Sequence, residues 1–267
     1  MIEAKNLSGG ADSAASVNQI SFRRNNGGVL GIVGAADASA LLALLSGALL
    51  PSAGQVRLNG FDLHAERARA QELVGYLPAS FLPDPDLTPA EYLLFVADAK
   101  GMEYHQAIRR VQALLDRTGL DALRNTLIRK LSHAQKRLLG IAQTLLASPE
   151  FILLDVPTEG LSVRDTLFVR EWIAQIGEEK TVLLTARTRA ETRGLCDTVL
   201  LLQNGRATEL SPEDAPDAST STVSAESNVQ ASPIAPPAKP PKKSRWRLLT
   251  DATAKHEEID DEKENRR

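Results

Sequence analysis

The chain is poor in metal-binding and redox residues: one cysteine, Cys196, and four histidines in 267 residues. A single thiol excludes an internal disulfide. With His64, His105, His133 and His256 scattered, no spacing suits a metal site. Basic residues are not in excess either. The 31 Lys and Arg stand against 34 Asp and Glu, and the formal charge of -3 gives no electrostatic case for nucleic acid as a partner. A long apolar run is also missing. The most apolar stretch, Ala38 to Leu50, is shorter than the about 20 residues a bilayer span needs. The opening "MIEAKNLSGG" lacks the basic start and apolar core of a signal peptide. These absences predict a soluble chain, or one that reaches a membrane only through a partner.

What is present is an ordinary globular composition, 43% hydrophobic and 24% charged, enough for one substantial domain. Six segments have strand character: "GGVLGIVG", "GQVRLNG", "LVGYLP", "FILLDV", "KTVLLTA" and "DTVLLLQNG". Helical patterns lie between several of them. Leu41, Leu42, Leu44 and Leu45 form an apolar face after Gly34. "TPAEYLLFVADAKG" begins with a capping Thr88 and Pro89 and closes at Gly101, and a similar segment runs from Ser162 to Gly177. The early Ser-Gly-Gly, Ser8 to Gly10, reads as a flexible turn. Strands alternating with helices predict an α/β fold with a mainly parallel sheet covered on both faces.

The composition changes after Leu210. "SPEDAPDASTSTVSAESNVQASPIAPPAKPPKKSRWRLL" is rich in Pro, Ser, Ala and Thr, and the chain ends in the charged "KHEEIDDEKENRR". Such a segment buries too little apolar surface to offset chain entropy, so residues 211–267 are expected to be a disordered tail. Its Trp246, Leu248 and Leu249 sit beside five basic residues, which suits an adaptor segment as well as a solvated linker.

The stretch "VLGIVGAADASALLALLSG" carries the functional question. A buried strand, a tight turn and a helix is the setting in which nucleotide-binding proteins hold phosphate. The landmarks that follow keep a definite order: "LLALLSGALLPSAGQVRLNGFDL", "VGYLPASFLPDPDLTPAEYLLFVADAKG", "KLSHAQKRLLGIAQTLLASPEFILLDVPTEGLS" and "KTVLLTARTRAETRGLCDTVLLLQNGRA". Over residues 1–208 this order resembles the nucleotide-binding subunit of ATP-binding cassette (ABC) transporters, especially those driving drug, polysaccharide and gliding-type exporters. Asp155 lies 24 residues after Leu131, the spacing the family uses. The resemblance implies a P-loop NTPase-like cassette over residues 1–210. It would have a central mainly parallel sheet, an antiparallel N-terminal β part and a helical subdomain at about 80–148.

The residues that would carry the chemistry depart from the family's pattern. A phosphate loop needs glycines that turn N–H groups toward phosphate, a lysine on the β and γ phosphates, and a hydroxyl on Mg²⁺. Counted without a gap from Gly34, the last glycine, lysine and hydroxyl positions fall on Ser39, Ala40 and Leu41; aligned on the helix, the loop is two residues short. Either way no lysine is present, and Asp37 brings negative charge. The resemblance places Ala79 where the family has its glutamine, Val156 at the catalytic glutamate, Ser162 at the D-loop aspartate and Arg187 at the switch histidine. Glu159, three residues beyond Val156, reads as a surface turn residue. The family's adenine-stacking aromatic has no counterpart in "LSGGADSAAS".

Some positions are kept. The resemblance implies that Asp155 would hold Mg²⁺ through a bound water, or else it is a strand-end residue that holds a loop. In "LSHAQ", Ser132 and Gln135 match the family signature, while His133 and Ala134 replace two glycines; Ser132 also reads as a plain helix N-cap.

The resulting expectation is a pseudo-ATPase that acts as scaffold or regulator of a membrane ABC complex. Its catalytic positions are empty, and its nucleotide-binding remnants are Gly34, Ser39, Ala40, Ser132, Gln135 and Asp155. It would have no bound metal or cofactor beyond weak MgATP. Its partners would be membrane-spanning subunits and an active cassette chain, and it would sit in the cytoplasm at the inner face of the membrane. Two alternatives stay open. One is a divergent active ATPase using a displaced lysine, with Lys5, Lys100, Lys130 and Lys136 as candidates. The other is an adaptor working through the tail.

Overall fold

The computed structural model describes residues 1–12, 15–203 and 206–210; the expected disordered tail lies outside the described residues. All six strand segments read from the sequence form strands. A four-stranded antiparallel sheet has the order β2 (Ala15–Arg24), β1 (Ile2–Asp12), β4 (Ala53–Leu58), β5 (Phe61–Asp62). A six-stranded sheet has the order β10 (Arg206–Leu210), β9 (Thr198–Gln203), β3 (Val29–Val33), β8 (Thr181–Ala186), β7 (Phe151–Leu154), β6 (Val74–Leu77). Its strands run parallel except β10, which returns antiparallel to β9.

Helix α1 (Ala35–Ser46) lies among residues of both sheets. Leu41, Leu42, Leu44 and Leu45 are all fully buried, in one cluster with Ile2, Leu7 and Ile20 from the antiparallel sheet and Leu30, Ile32 and Phe151 from the parallel one. The apolar face read from the sequence is buried as a whole, and it is broad enough to meet residues of both sheets. Each such leucine contributes about 1.5–3 kcal/mol. That burial holds the strand–helix corner whatever the turn does chemically.

Two other local readings change. The Ser8-Gly9-Gly10 segment is strand, with Gly9 opposite Val17 and Gly10 opposite Ser16. A Cβ at Gly9 would lie 3.0 Å from Leu44 Cδ2, so the glycine lets β1 approach α1. Helix α6 (Val163–Glu179) runs past Gly177. That glycine is internal because a Cβ would meet Val29 Cγ2 at 2.6 Å, where α6 crosses β3. Contacts divide the described residues into one unit of Met1–Leu82 with Leu131 to Leu210, and a second of Pro83–Lys130. Helix α5 (His133–Leu145) belongs to the first unit; the short α2 (Arg67–Glu72) does too.

The second unit holds α3 (Pro89–Ala99) and α4 (Tyr104–Thr118). Thr88 caps α3, as the sequence predicts, and Glu91 completes a reciprocal capping box. Ala90, Leu93, Leu94 and Ala97 of α3 and Ala107, Val111 and Leu115 of α4 are the buried faces. Arg129 pairs with Asp86 at 2.6 Å.

Candidate functional site

Gly34, Asp155 and Arg187 each directly follow the carboxyl end of a parallel strand, β3, β7 and β8, where open parallel sheets place their ligands, and Ala79 lies just beyond β6. Gly34 ends β3, and α1 begins at the next residue. The N–H groups of Asp37 and Ala38 already donate to the Gly34 carbonyl at 3.1 and 3.3 Å. The stretch that would wrap a phosphate is thus a helical turn. Gly34 is needed for packing: a Cβ there would lie 2.5 Å from Leu202 Cβ and 2.8 Å from the Leu202 carbonyl oxygen.

The side chains of this turn point to internal partners. Asp37 Oδ1 accepts from the Ser16 N–H of β2 at 3.1 Å, and its carboxylate sits in the first turn of α1, where the helix dipole favours negative charge. Ser39 Oγ donates to Asp155 Oδ1 at 2.8 Å. Leu41, the hydroxyl position in the ungapped count, is fully buried. Ser39 is the residue that faces the strand-end aspartate. Ala40 is 6% exposed and packed in the core.

Asp155 is 3% exposed and is the centre of a polar network. Its Oδ1 also accepts from Thr185 Oγ1 at 2.6 Å, and Thr185 Oγ1 in turn accepts from the Val156 N–H at 2.8 Å. Val156 has φ +40°, a left-handed conformation that a β-branched side chain rarely adopts.

The residue that ties the site together, Arg137 of α5, was not singled out from the sequence. It is 5% exposed. Its guanidinium donates to five main-chain carbonyls: Nε to Pro157 at 3.4 Å, Nη1 to Pro78 and Ala79 at 3.1 Å each, Nη2 to Val156 at 2.8 Å, and Nη2 to Asp155. Burial lowers the Arg137 pKa, and the nearby Asp155 opposes that shift. Burial, reinforced by Asp155, pushes the Tyr76 phenol upward. One charged side chain therefore fastens the segment after β6, with Ala79, to the segment after β7, with Val156.

The remaining positions are occupied locally. Ser132 caps α5: its Oγ accepts from the Gln135 N–H at 3.2 Å, and Gln135 Oε1 accepts from the Ser132 N–H at 2.8 Å. A Cβ at Gly160 would lie 3.1 Å from His133 Cε1, so that ring rests on the turn before α6. Ser162 caps α6, accepting from the Asp165 N–H at 3.2 Å. Arg187 forms an ion pair with Glu159, both solvent-exposed. Among the described residues no group of three or more His, Cys, Asp or Glu is placed to hold a metal ion, and no helix is long and apolar enough to cross a membrane. A shallow cavity of about 520 Å³ lies elsewhere, between the β1–β2 hairpin and residues 50–52, and no charged side chain lines it.

Residues 17–159 match the family described as ABC transporter. The chain is 27% identical over 208 residues to the linearmycin resistance ATP-binding protein LnrL of Bacillus subtilis, covering 77% of this chain and 67% of that one. It is 29% identical over 194 residues to the ABC transporter ATP-binding protein NatA of Bacillus subtilis, covering 71% and 79%. It is 30% identical over 207 residues to the methionine import ATP-binding protein MetN 2 of Burkholderia mallei, covering 74% of this chain and 52% of that one. Among solved structures, an ATP binding subunit of an ABC transporter superimposes with a TM-score of 0.70 at 22% identity, covering 79% and 90%. A dimeric ATP-binding cassette in a post-hydrolysis state, bound to ADP and Pi, gives 0.70 at 19%, covering 79% and 99%. At those identities the likeness is one of fold. With the cassette fold, the matched stretch and the ordered landmarks in agreement, the chain belongs to the ABC transporter family, as an ATP-binding-cassette chain.

Proposed function

We propose that this chain serves a transport complex as a cassette subunit that does not hydrolyse ATP, a scaffold or regulator seated on the inner face of the membrane by membrane-spanning subunits. The observation that carries this reading is the closed network around Asp155. Its carboxylate is held by Ser39 and Thr185. The loops beside it are tied by Arg137. The α1 N–H groups of Asp37 and Ala38 are used within the helix. A Mg²⁺–triphosphate does not fit these residues. No lysine lies in the turn, Asp37 repels phosphate, and Val156 has no group that takes a proton from water. The exposed Arg187 is engaged by Glu159.

Pairing with an active cassette chain is the assembly we favour. The partner would supply an intact phosphate loop, and this chain would face it with the capped α5 terminus at Ser132.

Titration of MgATP into the full chain by calorimetry tests the reading. The expected result is no binding heat up to about 1 mM nucleotide, a free energy weaker than about -4 kcal/mol. Micromolar binding would overturn it and establish a non-standard phosphate site.

A further inference from the structure

Helix α6 buries one face and leaves another bare. Val169, Trp172, Ile173 and Ile176 are buried, while Val163, Leu167 and Phe168 are 79%, 62% and 42% exposed. At about 100° per residue these three fall on adjacent parts of the solvent side, around Arg164. Scattered apolar surface residues are ordinary, but three on one helix face in two turns form a contiguous patch. Leu50 and Leu82, the other large exposed hydrophobics among the described residues, lie outside helices.

The charges beside the patch identify what it fits. Arg164 and Glu171 are exposed, and neither has an ion-pair or hydrogen-bond partner among the described residues. In "RDTLFVRE" they stand symmetrically about the Leu167–Phe168 pair. An antiparallel pairing of two α6 helices, centred between Leu167 and Phe168, sets Arg164 of each copy opposite Glu171 of the other. The apolar residues meet in the middle, and the helix dipoles oppose. A two-fold interface requires this reciprocity, in which residue i meets j and j meets i. A parallel pairing would set Arg164 against Arg164 and Glu171 against Glu171.

We propose that a second copy of this chain docks on the α6 face, giving a two-fold homodimer through Val163, Leu167 and Phe168 with reciprocal Arg164–Glu171 pairs. The dimer needs no nucleotide and does not rest on the loss of ATP chemistry.

Sedimentation of the full chain without nucleotide, from about 1 to about 100 µM, tests this. The wild type is expected to dimerise, and Leu167→Glu to be monomeric. Arg164→Glu and Glu171→Arg should each weaken association by about tenfold or more, because both pairs become like-charged. The double variant Arg164→Glu/Glu171→Arg should recover it. The two single variants mixed in equal amounts should pair with each other. All these positions are exposed, so thermal unfolding should be near wild type for every variant. A wild type that stays monomeric throughout overturns the proposal. So does a dimer indifferent to Leu167→Glu, or charge variants whose combination fails to restore association.

Discussion

Ser39 Oγ lies 2.8 Å from Asp155 Oδ1, joining the first helix to the end of β7 through a hydroxyl–carboxylate hydrogen bond. Thr185 binds the same oxygen from β8. Three elements of the parallel-sheet unit thus converge on one buried carboxylate, and Arg137 holds the adjoining main chain.

The Arg137 tie should dominate local stability. Arg137→Ala removes a donor from five carbonyls, of which Val156 keeps the Glu159 N–H, and leaves Asp155 without its nearby positive charge, so it is expected to cost about 3–5 kcal/mol. Arg137→Lys should recover only part, since a point ammonium does not span carbonyls on two separate segments. Urea unfolding reads both. A loss under about 1 kcal/mol for the alanine variant would show that the network is incidental.

Val156 tests whether its backbone geometry is strained. With φ +40°, a β-branched side chain is held at a cost of about 1–3 kcal/mol. Glycine adopts that conformation freely but loses more entropy on folding. Val156→Gly is expected to raise stability by about 1 kcal/mol in the same urea assay. Destabilisation would mean that packing of the half-buried valine outweighs the strain.

Cys196 gives a pH signature. Burial pushes its thiol from the ordinary 9.0 to about 12, with Arg170 opposing and Asp197 assisting. The native form keeps its proton while the unfolded form loses it. The contribution is therefore complete below pH 9.0 and is lost as pH rises toward about 12. Stability should fall by up to about 1.4 kcal/mol per pH unit in that window. Comparison with Cys196→Ala isolates the thiol from Tyr76 and Tyr92, whose raised phenols act in the same direction. Equal alkaline slopes for the two proteins would remove the effect.

The strands were legible because β-branched and leucine-rich runs bounded by Gly and Pro have few other uses. The caps at Thr88 and Ser162 were legible because they act within one helical turn. What escaped depends on distant partners. Gly177 looks like a helix stop until β3 is seen passing beneath it, and Gly9 looks like a turn until Leu44 is seen behind it. Counting left Ser39 and Leu41 as alternatives, and only the fold shows that Ser39 meets Asp155 while Leu41 is buried. Arg137 left no signal at all, since every one of its hydrogen-bond partners is a peptide oxygen in another segment.

That last property has a consequence for sequence change. A peptide oxygen is present whatever side chain the residue carries, so the hydrogen bonds made by Arg137 at positions 78, 79, 156 and 157 do not depend on those side chains, while at 155 the carboxylate charge also acts on the guanidinium. The loops that carry Ala79 and Val156 are gripped by the same guanidinium. A change of side chain at Ala79 leaves the accepting oxygen in place, so the main chain can hold this architecture while the side chain varies.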